Sequence, residues 1–186
     1  MALSSLPKSI AGVAAALIIL TAVACWGQES NRAKAHALVD AAIQMSDTGQ
    51  AVKLLWQATD IDPTLNEPYI YLGLFYNSRE DFAKVVEVYQ KLVKYQPREV
   101  SAYLNIGEAY MSFTPPKDRE ALASYKKAHE IDPHSAFAAL RIGQTLKNHG
   151  NRAEAERYLK QAIADSGKNA TVAAEAQKEL RQLGAF

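Results

Sequence analysis

The sequence predicts an all-α protein made of a repeated pair of helices, and three observations support this. Within the stretch 67–97, apolar residues recur at helical spacing on both sides of a short polar break, which indicates two helices joined by a turn. The prolines that follow the second helix of each pair are 34 and 36 residues apart: Pro63, Pro97 and Pro133. Glycines in the first helices are separated by the same intervals: Gly73, Gly107 and Gly143. Because proline lacks the amide donor that another helical turn needs, each pair ends there.

A single helical pair of this kind cannot bury its own apolar surface. Each of its two helices has an apolar stripe, and one partner helix cannot cover both. The small or apolar residue near the start of each second helix returns at intervals of 34, 36 and 34 residues: Ala51, Val85, Ala121 and Ala155. A period of about 34 residues with this content indicates hairpins that stack and bury their faces against their neighbours.

Four pairs and one final helix are predicted in chain order. Their boundaries are 32–65, 66–99, 100–135 and 136–169, followed by a capping helix in 170–186. The first pair is the most degenerate, as terminal repeats often are. The third pair has two extra residues in its inter-helix turn, where Pro115 and Pro116 cannot be helical interior. We expect this insertion to lengthen a surface loop and leave the packing faces in register.

Composition sets only broad limits on function. The chain has 186 residues, of which 48% are apolar and 22% charged, as is ordinary for a globular protein. Its formal net charge of +1 provides no basic field, so nucleic acid is not an expected partner. Cys25 is the only cysteine, which excludes an intrachain disulfide and a cysteine-rich zinc site.

The first 26 residues are predicted to be a signal peptide or an N-terminal membrane anchor. Residues 10–26 form an uninterrupted run without a charge. As a helix this run would span roughly 26 Å, slightly less than the hydrocarbon thickness of about 30 Å. That length suits the apolar region of a secretory signal, and with flanking residues it also suits a single hydrophobic anchor helix. Ala22 and Ala24 before Cys25 match the small-x-small pattern of a signal cleavage site.

Four fates of this segment stay open. Residues 22–25 resemble a bacterial lipoprotein box, in which Cys25 would become the lipidated first residue after cleavage. The segment is otherwise removed without lipidation or retained as an anchor, or it is buried against a protein partner. The first three of these outcomes place the chain in the cell envelope, with the repeats on the periplasmic side. Lipidation or retention would also attach it to the membrane.

The repeated stretch from residue 32 onward resembles the tetratricopeptide repeat family. The resemblance rests on the 34-residue period, the recurring glycines and alanines, and the closing prolines. It implies a right-handed α-solenoid of about four helical hairpins with a C-terminal capping helix, here preceded by an N-terminal hydrophobic helix. The glycines of the first helices and the alanines of the second helices are expected to let the two helices of a hairpin approach closely.

The resemblance also implies a partner-binding groove on the concave face formed by the first helices. The positions expected to line it are Ile70, Leu74, Asn77, Leu104, Glu108, Met111, Phe137, Leu140, Arg141 and Gln144. Six of these are apolar and form a predicted stripe with polar residues beside it. An amphipathic helix or an extended apolar segment of a partner protein could dock on such a stripe. The alternative is that the chain itself covers the stripe, for example with its N-terminal segment.

The expected function is a non-catalytic scaffold of the bacterial cell envelope. It would bind a partner polypeptide in the groove and support the assembly or stability of a larger envelope complex. One branch of the family binds carboxy-terminal peptides through a lysine, asparagine and arginine clamp, which this chain lacks, with only Asn105 and Arg141 resembling it. The alternative function is an integral accessory subunit of a membrane complex, held by a permanent N-terminal transmembrane helix.

Catalysis, metal binding and cofactor binding are not expected. The four histidines are scattered along the chain, and no glycine-rich phosphate loop, haem-attachment motif or calcium loop is present. His129 and His134 flank the end of a predicted helix, where a metal would need a further ligand. No positioned histidine accompanies Cys25, so a thiol nucleophile is not expected either.

Overall fold

The computed structural model describes residues 30–167 and 169–184. The predicted apolar run 10–26, its interpretation as a leader or anchor helix, and the possible lipidation at Cys25 all lie outside the described residues. Within the described ranges the chain consists of helices and turns without a strand, which confirms the all-α prediction there. None of the helices in the described part is both long and apolar enough to cross a membrane.

Nine helices are present in the described part of the chain. They are α1 (30–44), α2 (Thr48–Ile61), α3 (Glu67–Asn77), α4 (Phe82–Tyr95), α5 (Val100–Met111), α6 (Asp118–Ile131), α7 (Ala136–Asn148), α8 (Arg152–Asp165) and α9 (Ala170–Leu183). They belong to two compact units, the first ending at Pro68 and the second beginning at Tyr69.

The first unit contains α1 and α2. Asp47 caps the start of α2, because its Oδ1 accepts hydrogen bonds from the amides of Gly49 and Gln50 at 2.8 and 3.1 Å. The buried side chains of the two helices recur at helical spacing: Ala35, Val39, Ala42, Leu55 and Ala58. At the end of this unit the His36 Nδ1 lies 2.9 Å from a Glu67 carboxylate oxygen.

The second unit stacks its helices in chain order. Each of α4 to α8 packs on the helix that follows it, and α9 packs on both α8 and α7. The core of the C-terminal part is a cluster of buried alanines and larger apolar residues from α6 to α9: Ala121, Tyr125, Ala139, Leu140, Ile142, Leu146, Ala155, Leu159, Ala162, Val172, Ala176, Leu180 and Leu183. Paired helices with small residues at regular intervals are thus what the sequence pattern indicated.

The repeated glycines make room for a large side chain from the second helix of each hairpin. A Cβ atom added at Gly73 would lie 2.5 Å from the Tyr89 hydroxyl oxygen, and one added at Gly107 would overlap the Tyr125 ring. At Gly143 the nearest atom is a Leu159 side-chain carbon at 2.7 Å. Such distances are far below van der Waals contact. Each glycine therefore leaves space for one side chain of the second helix. The sequence analysis had predicted only that the two helices approach closely.

The two-residue insertion lies in the turn between α5 and α6 and is held by aromatic contacts. The Phe113 ring lies 6.1 Å from the Tyr110 ring and 6.2 Å from the Phe82 ring. The Lys117 ammonium group is 4.1 Å from the centre of the Phe113 ring, within the range of a cation–π interaction. The insertion therefore packs against the adjacent hairpin through one side chain.

Candidate functional site

The exposed sides of α3, α5 and α7 form the surface that we call the inner groove. Its α3 side is apolar: Ile70 and Leu74 are 48% and 62% exposed. Tyr71, which the sequence analysis did not select, is 40% exposed beside them. An exposed apolar cluster on a helix that is otherwise buried is the usual mark of an interaction surface.

A cavity of about 340 Å³ lies between α3 and α5 in this groove. It brings together three of the predicted residues, Leu74, Asn77 and Glu108. Asn105 also lines it, and its side-chain amide donates a 2.8 Å hydrogen bond to the Ser101 carbonyl oxygen. The cavity therefore combines an apolar wall from α3 with amide and carboxylate groups from α3 and α5.

A second cavity, of about 240 Å³, lies between α5 and α7. Glu108 lines this cavity as well, together with the predicted residues Met111, Arg141 and Gln144. Lys147 of α7 and Glu179 of α9 complete its charged wall. This half of the groove is therefore mostly polar, and the polar residues selected from the sequence, Glu108, Arg141 and Gln144, belong to it.

Glu108 is the centre of the polar half. Its Oε1 accepts a 2.7 Å hydrogen bond from the Tyr125 hydroxyl group, and its Oε2 accepts a 2.9 Å hydrogen bond from Arg141 Nη2. The Arg141 Nε lies 2.7 Å from Oε1, so the guanidinium group faces both carboxylate oxygens. Burial, and then the hydrogen bond to Glu108, raise the pKa of Tyr125 well above its ordinary value of 10.0.

The capping helix α9 supplies the remaining partners of this network. Gln144 Nε2 donates a 2.7 Å hydrogen bond to Glu175 Oε1, and Lys147 pairs with Glu179. The charged groups on this side are therefore matched within the unit. The signal that could have revealed them is the spacing of Glu175, Glu179 and Gln182, which places three polar residues on one side of α9.

The prediction that Leu140 faces the groove is wrong, because its side chain is 0% exposed. It belongs to the same core cluster as Val172 and Ala176 of α9. Leu104, Met111 and Phe137 are half-buried against that cluster. A continuous exposed apolar stripe is therefore not present among the described residues, and the exposed apolar residues of the groove are concentrated on α3.

The predicted absence of a catalytic or metal site stays a prediction. Across residues 30–167 and 169–184, no three His, Cys, Asp or Glu side chains are grouped so that they could hold a metal ion. His134 Nδ1 lies 3.1 Å from Asp165 Oδ1, which raises the pKa of His134. Burial lowers the pKa of nearby His129.

Comparison with known proteins gives a family match for the C-terminal part. Residues 119–180 match the model of a tetratricopeptide repeat family. The mouse Tetratricopeptide repeat protein 21A is 28% identical over 134 residues, which are 72% of this chain and 10% of the relative. The human Superkiller complex protein 3 is 25% identical over 124 residues, which are 64% of this chain and 8% of the relative. The chain thus spans about a tenth of the length of the curated relatives that it matches.

Solved structures with a similar fold include two that are named for the tetratricopeptide repeat (TPR). TTC0263, a thermophilic TPR protein of Thermus thermophilus, is 21% identical, with a TM-score of 0.60 over 81% of this chain and 84% of that one. MamA is 23% identical, with a TM-score of 0.61 over 74% of this chain and 81% of that one. The TPR2B domain of yeast Sti1, in a complex with pHsp70, is 23% identical, with a TM-score of 0.52 over 61% of this chain and 96% of that one. Residues 119–180 are therefore similar to a tetratricopeptide repeat family, and the described part of the chain shares its fold with these solved structures.

Proposed function

We propose that this protein is a non-catalytic scaffold that binds a partner polypeptide in the inner groove. The observation that supports this most directly is the exposure of Ile70, Tyr71 and Leu74 on α3, next to the 340 Å³ cavity. Burying these side chains against a partner would remove apolar surface from water, at about 25 cal/mol per Å². A tetratricopeptide repeat fold is suited to protein–protein interaction, and the Sti1 domain is an example of such a fold in a complex.

The two halves of the groove would contribute differently to binding. On the α3 side, apolar side chains of the partner would contact Ile70 and Leu74, and its backbone would meet the amides of Asn77 and Asn105. On the α7 side, the carboxylate of Glu108 already has partners within the protein. The α3 side therefore supplies most of the affinity, and the polar side restricts orientation.

The proposed location is the bacterial cell envelope, with the repeats on the periplasmic side. The uncharged run 10–26 supports this location, whether it is cleaved, lipidated at Cys25 or retained. The work of the scaffold there would be the assembly or stabilisation of a larger envelope complex. The second candidate, an accessory subunit with a permanent transmembrane helix, rests on the same run. The mass of the mature chain separates the two, because loss of residues 1–24 eliminates the permanent helix.

Site-specific photo-crosslinking in the native cell tests the groove. A photoreactive phenylalanine at Leu74 is expected to form a defined adduct with one polypeptide, which mass spectrometry identifies. Tyr95 is a matched control position, since it is also apolar, helical and 46% exposed but lines neither cavity of the groove. The same adduct at both positions, or none at Leu74, would contradict the proposal.

A double substitution then tests which residues bind. Ile70→Ser combined with Leu74→Ser is expected to remove the adduct formed from a photoreactive residue at Asn77. The thermal unfolding midpoint is expected to stay close to that of the wild type, because both side chains are about half exposed or more. An adduct of unchanged yield in the double variant would show that the α3 side is not the contact.

A further inference from the structure

A further open cavity, which we call the outer groove, lies on the opposite side of α5 from Glu108. It has a volume of about 420 Å³ and lies between α4 and α6. Its lining includes Gln90, Val93, Tyr110, Glu120, Ala123 and Ser124. Lys127 lines it as well, but its ammonium group is already paired with Glu130 Oε2 at 2.9 Å. It shares none of its lining residues with the two cavities of the inner groove.

The repeat structure provides an internal reference for this groove. The same arrangement of helices recurs one repeat later, where α6 and α8 flank α7. There the space is occupied by the protein's own side chains. The Tyr158 ring packs edge-on against His129, with ring centres 5.5 Å apart and an interplanar angle of 78°. The Arg157 guanidinium group lies 4.8 Å from the centre of the Tyr158 ring.

The outer groove lacks the side chains that fill its equivalent. Ser124 stands at the position of Tyr158, and Val93 stands at the position of His129. Ala123 similarly replaces an arginine. The open space therefore has the location that an aromatic ring occupies one repeat later. Val93, Ala123 and the side chains of Tyr103 and Tyr110 line it. Such a space is suited to an aromatic ring, which buries a large area at a low cost in conformational entropy.

The outer groove also lacks one charge of an ion pair. In the equivalent groove, Lys126 Nζ lies 3.6 Å from Glu154 Oε1. At the corresponding positions the outer groove has Gln90 and Glu120. The carboxylate is retained, and a neutral amide replaces the cation at the corresponding position. Lys127 of the same groove pairs with Glu130, so Glu120 has no ion-pair partner among the residues that the structure describes. Glu120 is one helical turn from Ser124 on α6. The space for an aromatic ring beside Ser124 and the carboxylate that could pair with a cation are therefore adjacent.

We propose that the outer groove binds a polypeptide segment that presents an aromatic residue within one or two positions of a lysine or arginine. The ring would enter the space above Val93 and Ala123, where it would also meet the Tyr110 ring. The cation would pair with Glu120. The partner would thus supply an aromatic ring and a cation, which Tyr158 and Lys126 supply in the equivalent groove. The site is separate from the inner groove, so the two proposals stand or fall independently.

The test is a selection of random heptapeptides displayed on phage against the purified full chain, followed by anisotropy titrations of the selected synthetic peptides. We expect selected sequences with an aromatic residue close to a basic one.

Ala123→Arg combined with Ser124→Tyr fills the groove with the side chains of α8. This double variant is expected to weaken binding by about tenfold or more, which is the effect of a hot-spot residue. Glu120→Gln is expected to weaken binding several-fold at low salt, and Glu87→Gln, an exposed carboxylate of α4 outside the groove, to have no effect.

Controls keep the outcomes distinct. Helical circular dichroism verifies that the filled variant folds, and Ser124→Tyr alone is the second variant if it does not. Leu74→Ser in the inner groove is expected to leave binding of these peptides unchanged. Selected peptides without the aromatic and basic pair, equal binding to the filled variant, or the absence of any selected peptide would overturn the proposal.

Discussion

The second and fourth hairpins have the same helical pattern, but the first helices of the two hairpins lie in different environments. Ile70 of α3 and Leu140 of α7 occupy corresponding positions, yet Ile70 is 48% exposed and Leu140 is 0% exposed. The difference arises because α9 packs on α7 and joins Leu140 to its core cluster. A position within a repeat therefore does not determine whether a side chain binds a partner or stabilises the fold. The neighbouring helix determines it.

The largest expected effect is the stability cost of truncating apolar positions on these two helices. Leu140→Ala is expected to lower the free energy of unfolding by about 2 to 5 kcal/mol, because it opens a cavity in the core. Leu74→Ala, at a side chain that is 62% exposed, is expected to change it by less than about 0.5 kcal/mol. Urea denaturation of both variants measures the difference. Similar costs for the two would show that the comparison of α3 with α7 is mistaken.

The next effect concerns alkaline pH and Tyr125. Its pKa is raised in the folded state, so the folded protein holds the phenolic proton more tightly than the unfolded chain does. Stability from this group is therefore complete below pH 10 and is lost as the pH rises above it. We expect Tyr125→Phe to unfold with a shallower dependence on pH above the ordinary tyrosine pKa of 10.0 than the wild type. Parallel pH curves for the two proteins would contradict the assignment to Tyr125.

The ion pair that distinguishes the polar half of the groove should have a smaller effect. Both Glu108 and Arg141 are partly exposed, at 38% and 29% of their side-chain area, so solvent screens their attraction. A double-mutant cycle with Glu108→Gln and Arg141→Met is expected to give a coupling energy of about 1 kcal/mol that decreases with added salt. A coupling close to zero would mean that α5 and α7 are held together by apolar packing alone.

Effects of about the same size or smaller are expected in the inter-helix turns of the same two hairpins. Glu80 between α3 and α4 has a φ of 58°, in the left-handed region that costs an L-residue about 1 kcal/mol, and Gly150 between α7 and α8 has a φ of 77°. Glu80→Gly is expected to raise the free energy of unfolding by about 0.5 kcal/mol, since the added freedom of the unfolded chain offsets part of the gain. Gly150→Ala should lower it by about 1 kcal/mol. Thermal unfolding of both variants measures these changes. Changes of the same sign in the two variants would contradict the prediction.

Prediction from the sequence was most accurate where a local pattern repeats. The glycines at 73, 107 and 143 indicated where the helices of each hairpin meet. In the structure a side chain of the second helix packs against each of these glycines. Leu74, Asn77 and Glu108, which were selected for the groove, line one cavity in the structure. Periodicity gives this information because it fixes which side of a helix a residue occupies.

The missed features all involve partners from distant helices. Lys147 and Glu179 pair across 32 positions of the chain, and nothing in either local stretch specifies the other. The outer groove likewise results from small residues on α6 beside an open space that only the packing of α4 and α5 creates. Helical periodicity gives the direction of a side chain but not what it contacts.

Local sequence patterns specify the helical hairpins and their order, because these depend on helical spacing, on proline and on glycine. The packing of the helices selects which first-helix positions stay exposed. It buried Leu140 beneath α9, left Ile70 and Leu74 in contact with water, and surrounded Glu108 with Tyr125 and Arg141. The physical reason is that burial and charge pairing are properties of two surfaces in contact, and a single stretch of sequence describes only one of them.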